Sequence, residues 1–116
     1  MAFSTSHLSN KDLSMPLFLD SHVLPDGVTY TPQELEEMHA RDVRVQGKYG
    51  VRYLKWWYDP ARGRVFCLVL APDRDAAVAV HRESNGAQAD DIFEVQEGPN
   101  SRPGEEITAA DTQVGG

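Results

Sequence analysis

The sequence contains a single cysteine, no long apolar run and an excess of acidic over basic residues. One cysteine rules out an internal disulfide framework and favours a reducing compartment. No apolar stretch approaches the roughly 20 residues that cross a bilayer. The opening stretch MAFSTSHLSNKDLSM also lacks the basic and apolar segments of a signal peptide. We therefore predict a cytoplasmic protein without a membrane partner.

The charge of the chain restricts its partners. It has 18 acidic and 11 basic residues, which gives a formal net charge of −7. Such a chain lacks the basic face that nucleic acid or an anionic membrane requires, but it attracts cations. The composition therefore argues against nucleic acid as a partner and is compatible with a metal ion.

The length and the spacing of apolar residues predict one domain between two tails. The chain has 116 residues, of which 41% are hydrophobic, enough for one modest core. Both ends are rich in small polar residues, and the C-terminal end is also rich in Gly and Pro. We predict disordered tails over residues 1–14 and 98–116, and one folded domain over residues 15–97.

Within this domain, apolar periodicity and turn signals predict four strands and two helices in the order β-α-β-β-α-β. Thr31 and Glu34 have the spacing of a capping box at the start of the first helix, and Gly47 or Gly50 would end it. Asp73 is the predicted N-cap of the second helix. The predicted strands are PLFLDSHV, VRYLKWWYD, RVFCLVLA and DDIFEV. This order predicts an α+β, ferredoxin-like fold, with two helices on one face of a four-stranded antiparallel sheet.

The third strand predicts an assembly. A half-buried strand alternates apolar and polar residues, but VFCLVLA is apolar throughout. Two helices cover only one face of the sheet, so the other face must meet something apolar. We predict a homodimer packed sheet to sheet, as in dimeric α/β barrels. A bound apolar ligand or the C-terminal tail are the alternative covers.

Several potential metal-binding side chains are predicted to meet at one edge of this sheet. The end of the first strand, the end of the second helix and the start of the fourth strand share that edge, and they carry His22, His81, Asn85, Asp90 and Asp91. Imidazole nitrogen with carboxylate oxygen suits Ni(II), Zn(II) or Cu(II). A structural role is the alternative, since the helix dipole alone favours His81 near a helix C-terminus.

Three further residues are candidate ligands with structural alternatives. His39 and Asp42 lie about one turn apart on the first helix, where they could bind a metal or form a structural pair at the rim of the core. Cys67 lies between apolar neighbours, where a free cysteine usually behaves as a small hydrophobic residue. None of these spacings forms a strong motif.

The runs MPLFLDSHVLPDGVT, MHARD, YGVRYLKWWYDPARGRVFCLVLAPD and AVHRESNG resemble a family of small bacterial proteins of unknown function that is also labelled nickel-binding-protein-like. The resemblance covers Met15 to about Glu97. It implies a ferredoxin-like fold, dimers and Ni(II) as the metal. Members of the family also occur beside signalling domains, which implies sensing rather than turnover.

The resemblance also implies a set of ligands. The residues at matching positions are His22, His39, Asp42, Cys67 and His81. The family usually reads HREAHG where this chain reads HRESNG, so Asn85 replaces a histidine, and an amide oxygen is a poorer ligand for Ni(II).

Three functions are open at this point. The first is a small dimeric metal-binding protein, with nickel (or zinc or copper) bound for buffering or sensing, and no catalytic residues. The second is a dimeric α/β-barrel enzyme, monooxygenase- or isomerase-like, or a haem-binding protein, with an apolar pocket beside His22 that involves Trp56 or Trp57 and Asn85. The third is a regulatory domain whose partner binds the acidic surface.

Overall fold

A computed structural model of the chain describes residues 8–98. The elements in chain order are α1 (Asn10–Ser14), β1 (Leu17–Val23), α2 (Pro32–Gln46), β2 (Arg52–Asp59), β3 (Arg64–Leu70), α3 (Arg74–Asn85) and β4 (Asp91–Val95). A 3-10 turn, Gly47–Tyr49, extends α2. No helix in this part of the chain combines the length and hydrophobicity needed to cross a bilayer.

The four strands form one antiparallel sheet in the order β2-β3-β1-β4. The long helices α2 and α3 pack against each other and contribute to the same core on one face of the sheet. This strand order, with both helices on one side, confirms the predicted α+β, ferredoxin-like fold.

The first long helix begins and ends where the sequence predicts. The Thr31 hydroxyl accepts a hydrogen bond from the Glu34 backbone N–H, and the Glu34 carboxylate accepts one from the Thr31 N–H. These two bonds satisfy backbone donors that the helix itself leaves unpaired. Of the two predicted stops, Gly47 still has a helical φ of −60°, while Gly50 has a φ of 68° and ends the 3-10 turn.

The second long helix has equally clear ends. The Asp73 carboxylate accepts from the Ala76 N–H at 2.8 Å, and Gly86 follows the helix with a φ of 68°. Because L-residues with side chains avoid that conformation, glycine is the natural stop. The position of this stop places His81 one turn before the end of α3.

The core lies between the sheet and the two long helices. Its buried apolar residues are Phe18, Leu35, Val51, Tyr53, Val65, Cys67, Val69, Ala71, Ala77 and Val80. Polar side chains are buried with them, among them Asp20, Asp42 and His81. Charged groups in such a place require partners, and these define the site described below.

The face of the sheet opposite the helices is largely apolar and partly exposed, although Lys55 lies there beside the Trp57 ring. Residues of β3 alternate between the two faces: Val65, Cys67 and Val69 face the helices, and the intervening Phe66 and Leu68 are half-buried on the other side. On the same open face, Trp57 is 41% exposed and Phe93 is 51% exposed.

Part of the predicted N-terminal tail is helical. The helix α1 forms because Ser9 and Asp12 make a capping box, and the Asp12 carboxylate also lies 3.3 Å from Arg52 Nε on β2. The rest of the two predicted tails, residues 1–7 and 99–116, lies outside the described residues.

Candidate metal centre

Four side chains that can bind a metal ion lie between the sheet and α3. Their donor atoms lie within 4.8 Å of one another, in the set Asp20, His22, Cys67 and His81. Asp20 and His22 share the helix-covered face of β1 because alternate strand residues point to the same side. The register of the sheet pairs Asp20 with Cys67, and α3 carries His81. Three elements that are separated in sequence thus build one site, here named the donor cluster.

Asp20 is the centre of the donor cluster and is 0% exposed. Its Oδ1 accepts hydrogen bonds from His22 Nε2 and from the Cys67 backbone N–H, each at 3.1 Å. Its Oδ2 accepts from His81 Nε2 at 2.9 Å. A buried carboxylate is stable only with such partners, so Asp20 fixes both imidazole rings relative to β3.

The His81 ring lies between two carboxylates. Its Nε2 faces Asp20, and its Nδ1 lies 3.0 Å from Asp42 Oδ1. Burial by itself lowers the pKa of His81, but hydrogen bonds to Asp20 and Asp42 outweigh burial and raise the pKa to about 12. His81 is therefore an imidazolium at neutral pH in the metal-free protein.

His22 is held in a similar way. Its Nδ1 donates to the backbone carbonyl of Gln88 at 3.2 Å. Burial lowers the pKa of His22, but hydrogen bonds to Asp20 and Cys67 raise it to about 9. Burial raises the pKa of Asp20, but hydrogen bonds from His22 and His81 lower it to about 2. The metal-free site therefore balances two imidazolium rings with the carboxylates of Asp20 and Asp42.

Asp42 supports His81 from α2 and is 3% exposed. Its Oδ1 also accepts hydrogen bonds from the Ser84 hydroxyl and, at 3.3 Å, from the Asn85 side-chain amide. The same amide donates to the Met38 carbonyl at 3.1 Å. These bonds tie α3 to α2 and hold the His81 ring in one orientation.

Tyr53 closes the site from β2. Its ring centroid lies 4.5 Å from that of His81, and its hydroxyl donates to the Ala77 carbonyl at 3.0 Å. Burial and the charge of Asp20 raise the pKa of Tyr53. The phenol therefore stays protonated and acts as a hydrogen-bond donor rather than as a metal ligand.

A cavity of about 90 Å³ borders the donor cluster. His22, Cys67 and His81 line it, whereas Asp20 does not. The other lining side chains are Leu24, Tyr30, Leu35, Met38, His39, Asp42, Trp56, Val65, Asn85 and Ala87. The cavity wall is therefore mainly apolar, with potential metal ligands on one side.

The structure brings most of the predicted ligands together. His22, Cys67 and His81 belong to the donor cluster, and Asp42 contacts His81. His39 lines the cavity but is not one of the four clustered donors. Direct binding of a metal by these five residues stays a prediction.

Asp90 and Asn85, which were also expected at this edge of the sheet, are not among the four clustered donors. Asp90, expected near the histidines, lies beside the end of β1, where its carboxylate accepts from the backbone N–H of Val23, the residue after His22, at 2.6 Å. Asn85 does lie beside the site, but its carbonyl oxygen accepts from Arg41 Nε at 2.6 Å. That oxygen is therefore already engaged and is a poor candidate ligand.

Asp20 is the member of the donor cluster that the sequence did not predict as a candidate ligand. A signal for it exists, because Asp20 is the one acidic residue in the otherwise apolar or neutral stretch PLFLDSHV and lies two positions before His22. Two strand residues at that spacing share a face. A carboxylate on the core side of a strand requires buried partners.

The donor set suits a transition-metal ion. Two imidazoles, one thiol and one carboxylate are ligands for Zn(II), Ni(II) or Cu(II) rather than for Mg(II) or Ca(II). With metal–ligand distances of about 2.0–2.3 Å, ligands of one ion lie at most about 4.6 Å apart. The donor separations reach 4.8 Å, which is slightly beyond this limit, so the side chains would have to move closer together to bind one ion.

Comparison with known proteins identifies the family of the chain. Residues 18–95 match a family model described as "Nickel responsive protein SCO4226-like", and the chain belongs to this family. It is similar to the crystal structure of SCO4226 from Streptomyces coelicolor A3(2), with 35% sequence identity and a TM-score of 0.61. The match covers 74% of this chain and 99% of that one. No curated protein matches the chain.

Proposed function

We propose that this chain is a small dimeric cytoplasmic protein that binds Ni(II), for nickel buffering or sensing. The observation that carries the proposal is the donor cluster of Asp20, His22, Cys67 and His81. The family description supports nickel among the metals that this donor set suits.

In the proposed site, the four clustered side chains bind the ion directly. Nickel would supply a divalent charge that replaces the protons of His22 and His81, since metal ligands must be deprotonated. Asp42 would then orient His81 through Nδ1, as second-shell carboxylates commonly do for metal-binding histidines. His39 at the cavity is a further candidate ligand.

The dimer in this proposal is supported by the open face of the sheet. Half-buried Phe66 and Leu68 lie there with the exposed rings of Trp57 and Phe93. An apolar sheet face of this kind is typical of an interaction surface, and a second copy of the same sheet covers it most simply.

Nickel uptake by the metal-free protein at neutral pH tests the proposal. We expect the wild-type chain to bind Ni(II) in calorimetry and to retain it in elemental analysis after gel filtration. The double variant His22→Ala and His81→Ala should lose this uptake. His39→Ala tests the further candidate separately: reduced uptake would identify His39 as a ligand, and unchanged uptake would exclude it. Absence of uptake by the wild type, or equal uptake by the double variant, would contradict the proposal.

A second candidate is the enzymatic or haem-binding reading, and the observation in its favour is the cavity beside His22. Its volume of about 90 Å³ is below the ~150 Å³ of a cavity that admits benzene. Haem or a polycyclic substrate would not fit without rearrangement. Haem titration followed by absorption spectroscopy tests this candidate, and a saturable shift of the haem band would support it.

A further inference from the structure

Three of the four clustered donors also form one wall of the cavity. His22, Cys67 and His81 line it, while Asp20 is fully buried behind them and does not. An ion bound by the donor cluster would therefore border the cavity rather than be enclosed by protein on all sides. Ni(II) can accept more ligands than the four donors of the cluster provide, so a ligand from outside the protein could bind on the side of the ion that borders the cavity.

Most of the remaining cavity lining is apolar or aromatic, including Leu35, Met38 and Trp56, although His39, Asp42 and Asn85 also line it. A ligand that fills this space loses its hydration and contacts mostly carbon, which favours an uncharged molecule. The volume of about 90 Å³ limits the ligand to fewer atoms than fit the ~150 Å³ benzene-binding cavity of another protein.

Charge also favours an uncharged ligand. A divalent ion with the carboxylate of Asp20 and the thiolate of Cys67 is already neutral, and Asp42 beside His81 adds a negative charge. The whole chain carries a formal net charge of −7, which repels anions further.

We propose that the cavity is a binding site for a small, uncharged ligand with a nitrogen donor, of about the size of an azole ring, which binds to the metal ion at the donor cluster. This inference rests on the proposed metal-binding function and adds to it a ligand class. The ligand forms one coordinate bond from its nitrogen lone pair to the ion, and no electron transfer or bond cleavage is involved.

Ala87 offers a way to close the cavity without changing a metal ligand. It follows α3, is half-buried and lines the cavity. The variant Ala87→Phe should fill the cavity and leave the four donors in place. Ala61→Phe is the matched control because Ala61 is exposed in the loop between β2 and β3. Leu24→Trp fills the cavity from another side and serves if Ala87→Phe does not fold.

Imidazole at pH 8, where it is mostly uncharged, is the probe, and the nickel absorption bands of the loaded protein are the readout. Retained nickel is measured after gel filtration, so that removal of the ion is distinguished from ligand binding. We expect a saturable spectral change for wild type and Ala61→Phe, and at least tenfold weaker binding for Ala87→Phe or Leu24→Trp. Azide, a small anion, should bind more weakly than imidazole.

The outcomes separate this inference from the proposed function. Nickel uptake without a saturable imidazole response overturns the ligand site alone. Equal imidazole affinity in the wild type and in both cavity-filling variants also overturns it. So does equal imidazole affinity with and without nickel, measured by tryptophan fluorescence. If the wild-type protein takes up no nickel, both proposals are wrong.

Discussion

Asp20 and Asp42 show how two buried carboxylates of the same type take different roles. Asp20 contacts both His22 and His81 and belongs to the donor cluster. Asp42 contacts only His81 of these two rings, through the nitrogen that faces away from Asp20. In the proposed metal site, Asp20 would bind the ion and Asp42 would orient the His81 ring.

The substitution Asp42→Asn tests this division. We expect nickel affinity to fall by roughly 10- to 100-fold, the usual cost of losing an orienting carboxylate, while the stoichiometry stays the same. Competition with a chelator of known affinity measures the change. Asp26→Asn, at an exposed position in the loop after β1, is the control and should bind as wild type does. Complete loss of binding in Asp42→Asn would instead identify Asp42 as a direct ligand.

The stability of the metal-free protein should depend on pH through the same residues. His22 and His81, with pKa values raised to about 9 and about 12, bind protons more tightly in the folded than in the unfolded chain. Their contribution is complete below their ordinary pKa of about 6.5 and is lost as pH rises through the folded values. Urea unfolding in the presence of a chelator should therefore show a falling midpoint from pH 6.5 to 9.

At low pH, the stability of the metal-free protein should change with pH in the opposite direction. Asp20, with its pKa lowered to about 2, contributes stability above its ordinary pKa, and this contribution is lost as pH falls toward 2.

The variant His22→Gln tests the alkaline limb, that is, the fall in the unfolding midpoint between pH 6.5 and 9. This limb should be less steep in the variant than in the wild type. An alkaline limb that is equally steep in this variant would count against the assigned proton on His22.

At the scale of elements, the two glycines after α2 have different backbone conformations. Gly47 has a φ of −60°, which any residue adopts, and no atom lies within 4 Å of an added Cβ. Gly50 has a φ of 68°, where residues with a Cβ are strained. The same chemical change should thus have opposite effects only three residues apart.

We expect Gly47→Ala to stabilise the protein by up to about 1 kcal/mol, since alanine loses less backbone freedom in a helix. Gly50→Ala should destabilise it by about 1–2 kcal/mol because of the left-handed backbone. The free energies of unfolding of the two variants, measured in urea, check this pair, and each variant serves as the control for the other. Two changes of the same sign would contradict the described end of α2.

The elements were largely predictable from the sequence, and the exceptions have physical causes. Caps such as Thr31 with Glu34 act locally, so the sequence alone places them. The short helix α1 carries a similar signal in Ser9 and Asp12, but it lies in a stretch too polar to predict a packed element. The register shift between Tyr53 and Lys55 was not predictable because it depends on pairing with β3.

The site was less predictable than the fold for the same reason. The histidines could be placed at one edge by topology, since His22 and His81 end their elements there. The contacts that decide ligand roles are long-range: Asp20 is central because Cys67 lies opposite it in the register. Pairing of this kind cannot be inferred from spacing along one element.

At the scale of the whole molecule, the open face of the sheet predicts the assembly. Replacing Trp57 and Phe93 by Glu places two charges on the proposed interface, where burial would be costly. We expect sedimentation to show a dimer for the wild type and a monomer for this double variant. Leu13→Glu is the control, because Leu13 is 58% exposed on α1, outside the sheet, and it should remain dimeric. A compact wild-type monomer at micromolar concentration would contradict the dimer.

The donor cluster joins β1, β3 and α3, so its four donors meet only after distant parts of the chain have folded together. Any ion that binds there stabilises the native state, because it binds the folded chain and finds no preformed site in the unfolded chain. At a free ion concentration 100 times the dissociation constant, binding adds about 2.7 kcal/mol to the free energy of unfolding. The resistance of the chain to proteolysis should therefore increase with the concentration of free metal ion in the surrounding solution.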